Sequence, residues 1–142
     1  MKIQKVLVGV LLAVSAALLW FWLSAKPVEG VTDRDNYMPG DPLTINVKNG
    51  TGKAVCFSSC YPYLVERRDG AGDWAQFEYD DCPYPEVASD CVPAGGIKKF
   101  RLPLDEAEVG LNRLKLNICF DCAAGDPFLA ESVIYSNVFE VK

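Results

Sequence analysis

No histidine occurs among the 142 residues of the chain, and this absence excludes several kinds of site. Ser/His/Asp triads and Cys/His pairs need an imidazole base, and mixed Cys/His zinc sites, catalytic zinc sites and the common copper sites need imidazole ligands. The sequence also has no glycine-rich phosphate loop and no D-x-D-x-D-G calcium loop, so its loop acids are interpreted as solvated. We therefore predict a protein that is not an enzyme and that binds no cofactor or metal.

Basic residues are scarce after the first 26 positions. From Pro27 onward, 11 Lys and Arg residues stand against 19 Asp and Glu residues. Such an acidic surface repels phosphate backbones, so a nucleic-acid partner is not expected. Solubility of an exposed domain is a sufficient explanation of the acidity.

One long apolar run precedes the rest of the chain. Residues 6–25 contain no charged side chain, and at 1.5 Å per residue a helix of this length matches a hydrocarbon core of about 30 Å. Lys2 and Lys5 place residues 1–5 in the cytoplasm by the positive-inside rule, and the remainder outside. We predict an uncleaved transmembrane signal anchor in the cell membrane. The alternative is a cleaved signal peptide and a secreted product, although a cut after Ala25 would leave Leu23 where a small residue is preferred.

Export decides how the six cysteines are interpreted. An even number in an oxidising compartment indicates disulfides, whereas an all-sulfur zinc site remains a weaker alternative. A bond between Cys82 and Cys91 would close a long loop at residues 80–93, and is the pairing that we predict first. Bonds from Cys56 or Cys60 to Cys119 or Cys122, or a local and more easily reduced Cys119 to Cys122 bond, stay open. The predicted disulfide residues are Cys56, Cys60, Cys82, Cys91, Cys119 and Cys122.

Alternating apolar and polar residues predict short strands throughout residues 37–142. In the first strand, at 42–48, Leu43, Ile45 and Val47 alternate with polar residues. No segment after the apolar run has a helical apolar period, so the domain is predicted to be all-β. The further strands are predicted at residues 62–68 and 74–79, joined in a hairpin by the turn 69–73, and at residues 97–104, 112–119 and 132–142.

Several positions between and within these strands carry separate expectations. Residues 26–36 are rich in proline, glycine and charge, and are predicted to be a stalk. Trp74 and Phe77 are assigned to the core, and a bulge near Asn137 explains a phase shift in the last strand. Asn49 begins both an Asn-Gly turn and a glycosylation sequon, of which the turn is the simpler interpretation.

The opening of the domain, Tyr37 to Asn49, has the pattern Y-x-P-G-D-x-L-x-I-x-V-x-N. In this pattern the chain resembles exported bacterial Ig-like and fibronectin-like modules. The resemblance implies an Ig-like antiparallel β-sandwich over residues 37–142. The Cys, Trp, Cys core signature of antibody domains is absent.

The usual order of strands in such a sandwich brings three loops to one end, at residues 49–61, 80–96 and 120–131. These loops carry or border all six cysteines and several aromatic residues. Rigid scaffolds commonly present recognition loops, and aromatic side chains add contact area with few rotors to freeze. We therefore predict a module that binds an unknown protein, glycan or peptide ligand; the alternative is a thiol-disulfide redox partner that uses Cys119 and Cys122. The predicted partner-binding residues are Tyr61, Tyr63, Tyr84 and Phe120.

Overall fold

The structure is a computed structural model, and it describes residues 27–104 and 108–142. These residues form an all-β fold without helix. The eleven strands are β1 (Val28–Thr32), β2 (Asn36–Tyr37), β3 (Pro42–Asn49), β4 (Val55–Ser58), β5 (Leu64–Arg68), β6 (Trp74–Gln76), β7 (Ala88–Val92), β8 (Ile97–Pro103), β9 (Gly110–Phe120), β10 (Ser132–Tyr135) and β11 (Phe139–Val141).

The smaller sheet has the order β1-β3-β8, and both pairs are antiparallel. Its middle strand, β3, alternates as the sequence predicts, because Leu43, Ile45 and Val47 are fully buried. The free edge strand, β8, carries Lys98, Lys99 and Arg101. Charged edge residues of this kind oppose pairing with another chain.

The larger sheet is built around β9, which is long enough for each of its edges to take two strands. Strands β11 and β10 pair with one edge, and β5 and β4 pair with the other. Strand β2 extends the sheet beside β11, β6 extends it beside β5, and β7 extends it beside β4. Both β4 and β5 run antiparallel to β9, so residues 59–63 form a break between two strands on one edge.

The two sheets share one apolar core. Buried side chains of β3 belong to the same cluster as Leu114, Leu116 and Ile118 of β9. At Gly30 of β1, a Cβ would stand 3.1 Å from Ile45 Cδ1 on the adjacent β3 and 3.8 Å from Leu116 Cδ1 of the larger sheet, so the two sheets approach closely there. A side chain at position 30 would have to displace the Ile45 side chain by a few tenths of an ångström. Alternation along β9 leaves Arg113, Lys115 and other polar residues on the opposite, outward face.

The strands expected at β3, β8 and β9 and the β5–β6 hairpin are present, and the last strand is interrupted at residues 136–138, beside Asn137. Other expectations were wrong. Residues 28–32, inside the predicted stalk, form β1 and pair with β3, so the folded region begins before Tyr37. Residues 88–92, inside the predicted long loop, form β7 and pair with β4. Both strands are short and weakly patterned, so only their pairing partners define them.

The core assignments at the hairpin were also wrong. Phe77 is 40% exposed, and Trp74 is only partly buried. Phe77 lies on the face of the hairpin that the smaller sheet does not cover, whereas Trp74 lies on the opposite, outward face of the larger sheet, over Arg113. The predicted membrane helix at residues 6–25 lies outside the described residues. None of the residues that the structure describes belongs to a helix that could span a membrane.

Candidate functional site

Three disulfides connect the six cysteines: Cys56 with Cys91, Cys60 with Cys82, and Cys119 with Cys122. No cysteine in the described part of the chain is free. The predicted Cys82 to Cys91 bond is wrong, because the segment it was meant to close contains β7. Pairing of β7 with β4 places Cys91 beside Cys56 instead. The bonds from Cys56 or Cys60 to Cys119 or Cys122, which the sequence left open, are not formed.

Two of the disulfides share a small buried cluster at the end of β9. Cys56 of β4 stands directly opposite Cys119 of β9, and both pack with Ala88 and Phe128. The Sγ atom of Cys56 lies 3.2 Å from the carbonyl oxygen of Cys122. Cys56 alternates with the core residues Val55 and Phe57 along β4, so this small cluster lies on the face of the larger sheet opposite the main core.

The third disulfide lies elsewhere. Cys60 follows β4 in the break between β4 and β5, partway along the edge of β9, and its bond to Cys82 anchors the segment that leads to β7. The expectation that all six cysteines gather at one end is therefore correct for two bonds only. The sequence could not show this break, because both strands pair with one distant partner.

The four predicted partner-binding residues differ in what they present to solvent. Tyr84 is 77% exposed. Tyr61 donates a hydrogen bond from its hydroxyl to the carbonyl oxygen of Asp80. Tyr63 and Phe120 are partly buried against the main core. Tyr84 is therefore the one of the four that is mostly exposed, and the other three are partly buried.

A different aromatic surface lies on the outward face of the larger sheet. The guanidinium carbon of Arg113 stands 4.3 Å from the centre of the Trp74 ring and 4.0 Å from that of the Tyr135 ring. Nε and Nη2 of Arg113 each lie 2.7 Å from Oε2 of Glu66, whose side chain is buried. We call Trp74, Arg113 and Tyr135 the aromatic face. Each member sits on a different strand, β6, β9 and β10.

Strand register explains this arrangement. Glu66 pairs with Arg113 across β5 and β9, and Tyr135 pairs with Lys115 across β10 and β9, so all four side chains point outward. Sequence alternation places Arg113 on the polar side of its strand. Alternation does not show that β6 and β10 lie on opposite sides of β9, since the three strands are far apart in sequence.

A cleft of about 480 Å³ opens beside the β5–β6 hairpin. Ala75 and Phe77 line it from the face of β6 that the smaller sheet leaves uncovered, and Asp69 lines it from the turn. Arg67 and Glu108 form an ion pair at its wall. The cleft is at the opposite end from the Cys119 to Cys122 bond.

Shifted pKa values in the described part belong to structural contacts. Burial raises the pKa of Tyr37 to about 12, and its hydrogen bond to Asp33 adds to the shift. For Asp33, burial acts to raise the pKa, but hydrogen bonds from the Thr44 N–H and the Tyr37 hydroxyl lower it overall. The ion pair with Asp121 raises the pKa of Lys53. Within residues 27–104 and 108–142, no group of three or more Cys, Asp or Glu residues is arranged to hold a metal ion.

Comparison with known proteins does not assign the chain to a family. No family model matches it, and no curated protein matches it. Among solved structures, it is similar to Pseudomonas fluorescens alkylpurine DNA glycosylase AlkC bound to DNA containing an abasic site analog, with a TM-score of 0.37 and 10% sequence identity. The match covers 86% of this chain and 33% of that one, so this chain spans about a third of that protein's length. Similarity at this level carries no argument about activity or partners.

Proposed function

We propose that the chain is an exported, disulfide-stabilised Ig-like β-sandwich module that binds a macromolecular partner and does not catalyse a reaction. In this proposal residues 6–25 hold it in the cell membrane, or are cleaved to release it. Two open sheets around one core support the Ig-like assignment. The pairing of every described cysteine supports export, because thiols stay reduced in most cytosols.

The aromatic face is the observation that carries the binding role. Tyrosine, tryptophan and arginine are the residues that most often dominate the binding energy of interfaces. Here they are held before any partner arrives, because Arg113 is fixed by buried Glu66 and stacked between two rings. Fixed side chains lose less entropy when a complex forms. Val133, on the same face, is 40% exposed and extends the contact area.

Site-directed cross-linking in the producing cells tests this proposal. A photo-reactive amino acid at Val133 of the full chain would report a partner on the aromatic face, and one at Tyr84 would report a partner on the predicted loop. We expect a specific adduct from Val133, lost when Trp74→Ala and Tyr135→Ala are combined. Tyr135→Phe keeps the ring over Arg113 and serves as the matched control. Thermal unfolding of each variant shows that the fold persists.

The outcomes separate the candidate binding surfaces. An adduct from Tyr84 alone would move the site to the predicted loop and reject the aromatic face. Absence of a specific adduct from both positions would reject the binding role. Each substitution removes at most a partly exposed ring, for which a stability cost of about 1 to 2 kcal/mol is expected.

Export has its own experiment. Peptide mapping under non-reducing conditions, with labelling of free thiols, should recover the three pairs from exported chain and no free thiol. Membrane fractionation and protease accessibility in spheroplasts should place the domain outside and attached. Recovery of the domain in the cytosol with labelled thiols would contradict export.

The alternative, a redox partner that uses Cys119 and Cys122, is favoured by one observation, namely that this pair does form a local bond and that Cys122 is partly exposed. Burial of Cys119 in the small cluster opposes it, because exchange needs access to a sulfur atom. A measured reduction potential near −300 mV or lower would assign the bond a structural role. A potential well above that value would favour the redox alternative.

A further inference from the structure

Strand β6 is an edge of the larger sheet, because β5 is the strand with which it pairs. Two hydrogen bonds fix which of its residues face β5. The Asp69 N–H donates to Asp73 O, and the Phe77 N–H donates to Val65 O. Hydrogen-bonded and non-hydrogen-bonded positions alternate in an antiparallel pair. Residues 73, 75 and 77 therefore direct their backbone groups toward β5.

The intervening residues point the other way. The backbone N–H and C=O groups of Trp74 and Gln76 face outward from the edge of the sheet. Unpaired groups in this arrangement are a template for another strand. Charged edge residues protect β8, whereas Trp74, Ala75 and Gln76 of β6 carry no charge.

The cleft lies beside this edge and is lined by Ala75 and Phe77. Side chains of a strand alternate between faces, so every second side chain of a strand added to β6 would enter the cleft. The exposed ring of Phe77 is positioned to contact it, and this ring packs edge-on against Tyr79 at 5.8 Å. The β6 edge would form backbone hydrogen bonds with the added strand, and the cleft would determine which of that strand's side chains fit.

Charge selects the kind of side chain. Asp69, Glu78 and Glu108 line the cleft together with one cation, Arg67, which is already paired with Glu108. The cleft thus has an excess of negative charge. A second copy of this chain that paired through its own β6 would bring two such clefts together, so self-association is opposed. A basic peptide is attracted.

We propose that the β6 edge and its cleft bind an extended peptide segment that adds a strand to the sheet and places a Lys or Arg side chain in the cleft. This mode of recognition combines backbone pairing with pockets for alternate side chains. The inference rests on the proposed role as a binding module, and it names a partner chemistry at a surface adjacent to the aromatic face.

Nuclear magnetic resonance of the full ¹⁵N-labelled chain tests the inference. The probe is a synthetic peptide, Thr-Lys-Thr-Val-Thr-Lys-Thr, and its counterpart has Glu in place of each Lys. We expect the Lys peptide to shift the amide signals of Trp74, Gln76 and Glu78, to slow their hydrogen exchange, and to bind with a Kd below about 1 mM. The Glu peptide should bind at least about tenfold more weakly, and the difference should shrink as salt rises.

Two substitutions at one position separate backbone pairing from side-chain contact. Gln76→Pro removes an N–H that faces the free edge and no bond to β5, so it should lower peptide affinity about tenfold or more. Gln76→Ala removes the same side chain, including its hydrogen bond from Lys115, but keeps the N–H, so affinity should be retained. Glu78→Gln should weaken the Lys peptide, whereas Glu131→Gln, outside the cleft, should not.

The inference is overturned if the Lys peptide shifts none of these amides at a peptide concentration of about 2 mM, twice the expected upper limit of Kd. It is also overturned if both peptides bind equally, or if Gln76→Pro binds as well as Gln76→Ala. Tyr135→Ala distinguishes this failure from failure of the proposed function. It should weaken the cross-link from Val133 but leave peptide binding unchanged, because β5 and β9 lie between β10, which carries Tyr135, and β6. If the Lys peptide does not bind but the Val133 cross-link is formed, this inference fails and the proposed binding role of the aromatic face is retained.

Discussion

Replacement of Asn49 by aspartate should destabilise the protein strongly, although the two side chains have nearly the same shape. Asn49 is completely buried at the end of β3. Its Nδ2 donates to the carbonyl oxygens of Lys53, Val92 and Pro93 at 2.7, 3.0 and 3.1 Å. Its Oδ1 accepts hydrogen bonds from the N–H and the hydroxyl of Thr51. One side chain therefore connects the turn after β3 to the end of β7.

Asn49→Asp keeps the acceptor for Thr51 but removes both N–H donors. The carbonyl oxygens then face a buried carboxylate, and each unsatisfied group costs about 1 to 3 kcal/mol. We expect a loss of about 4 kcal/mol, a large part of the roughly 5 to 15 kcal/mol that stabilises a typical domain. With a urea m value of about 1.5 kcal/mol/M, the unfolding midpoint should fall by about 2 to 3 M.

The pH dependence gives a second check. Burial should raise the pKa of the introduced carboxyl in the folded state above its unfolded value of about 3.9. Its protonated form is the one that the fold tolerates, so the penalty is smallest below about pH 4 and grows as pH rises through the folded pKa. The difference in stability between the natural protein and the Asn49→Asp variant should therefore narrow as the pH is lowered toward about 4.

Asn46→Asp is the matched control, because Asn46 lies on the partly exposed face of the same strand, opposite Lys99. It should change stability by less than about 0.5 kcal/mol. A cost below about 1 kcal/mol for Asn49→Asp would refute the reasoning. Because the amide nitrogen is buried and fully used, the folded chain should also carry no sugar at this sequon, which mass spectrometry can check.

Two further predictions concern stability. The pKa of Tyr37 is raised from 10.0 to about 12, so the stability that this residue contributes is present below pH 10 and is lost as pH rises from 10 to 12. The urea midpoint of the natural protein should therefore fall more steeply over this pH range than that of Tyr37→Phe. Equal slopes for the two proteins would contradict the pKa shift. Replacing Cys56 and Cys91 by Ala removes a disulfide between residues 35 apart in sequence, and should lower the free energy of unfolding by about 4 kcal/mol in the chain-entropy model. Replacing Cys119 and Cys122, which are only 3 apart, should lower it by about 1.5 kcal/mol. Urea unfolding measures both costs, and the reverse order would argue that packing in the small cluster outweighs chain entropy.

Local pattern identified the elements that have strong alternation. β3 and β9 each place three apolar residues at alternate positions, and β8 places Phe100 and Leu102 in the same way, so one face had to be buried whatever the partner. The β5–β6 hairpin followed from its glycine-rich turn. The weak strands β1 and β7 escaped detection, because each has few apolar residues and depends on β3 or β4 for its hydrogen bonds.

The cysteines show the same division. Their even number and the apolar N-terminal run predicted disulfides. The predicted bond between Cys82 and Cys91 was inferred from the length of the loop that it would close, and it was wrong. Only the register of β7 on β4 brings Cys91 to Cys56. The aromatic loop residues were chosen because of their type, and in the structure Tyr84 alone among the four is mostly exposed to solvent.

By itself the sequence determined an all-β chain with alternating strands, six cysteines suited to an oxidising compartment, and no imidazole chemistry, because periodicity and composition are local properties. Tertiary structure alone decided that Trp74, Arg113 and Tyr135 stack across three strands, and that β6 keeps an open edge above an acidic cleft. These features depend on which strands are neighbours. The physical reason is that strand pairing joins residues far apart in sequence, and no local pattern specifies the partner.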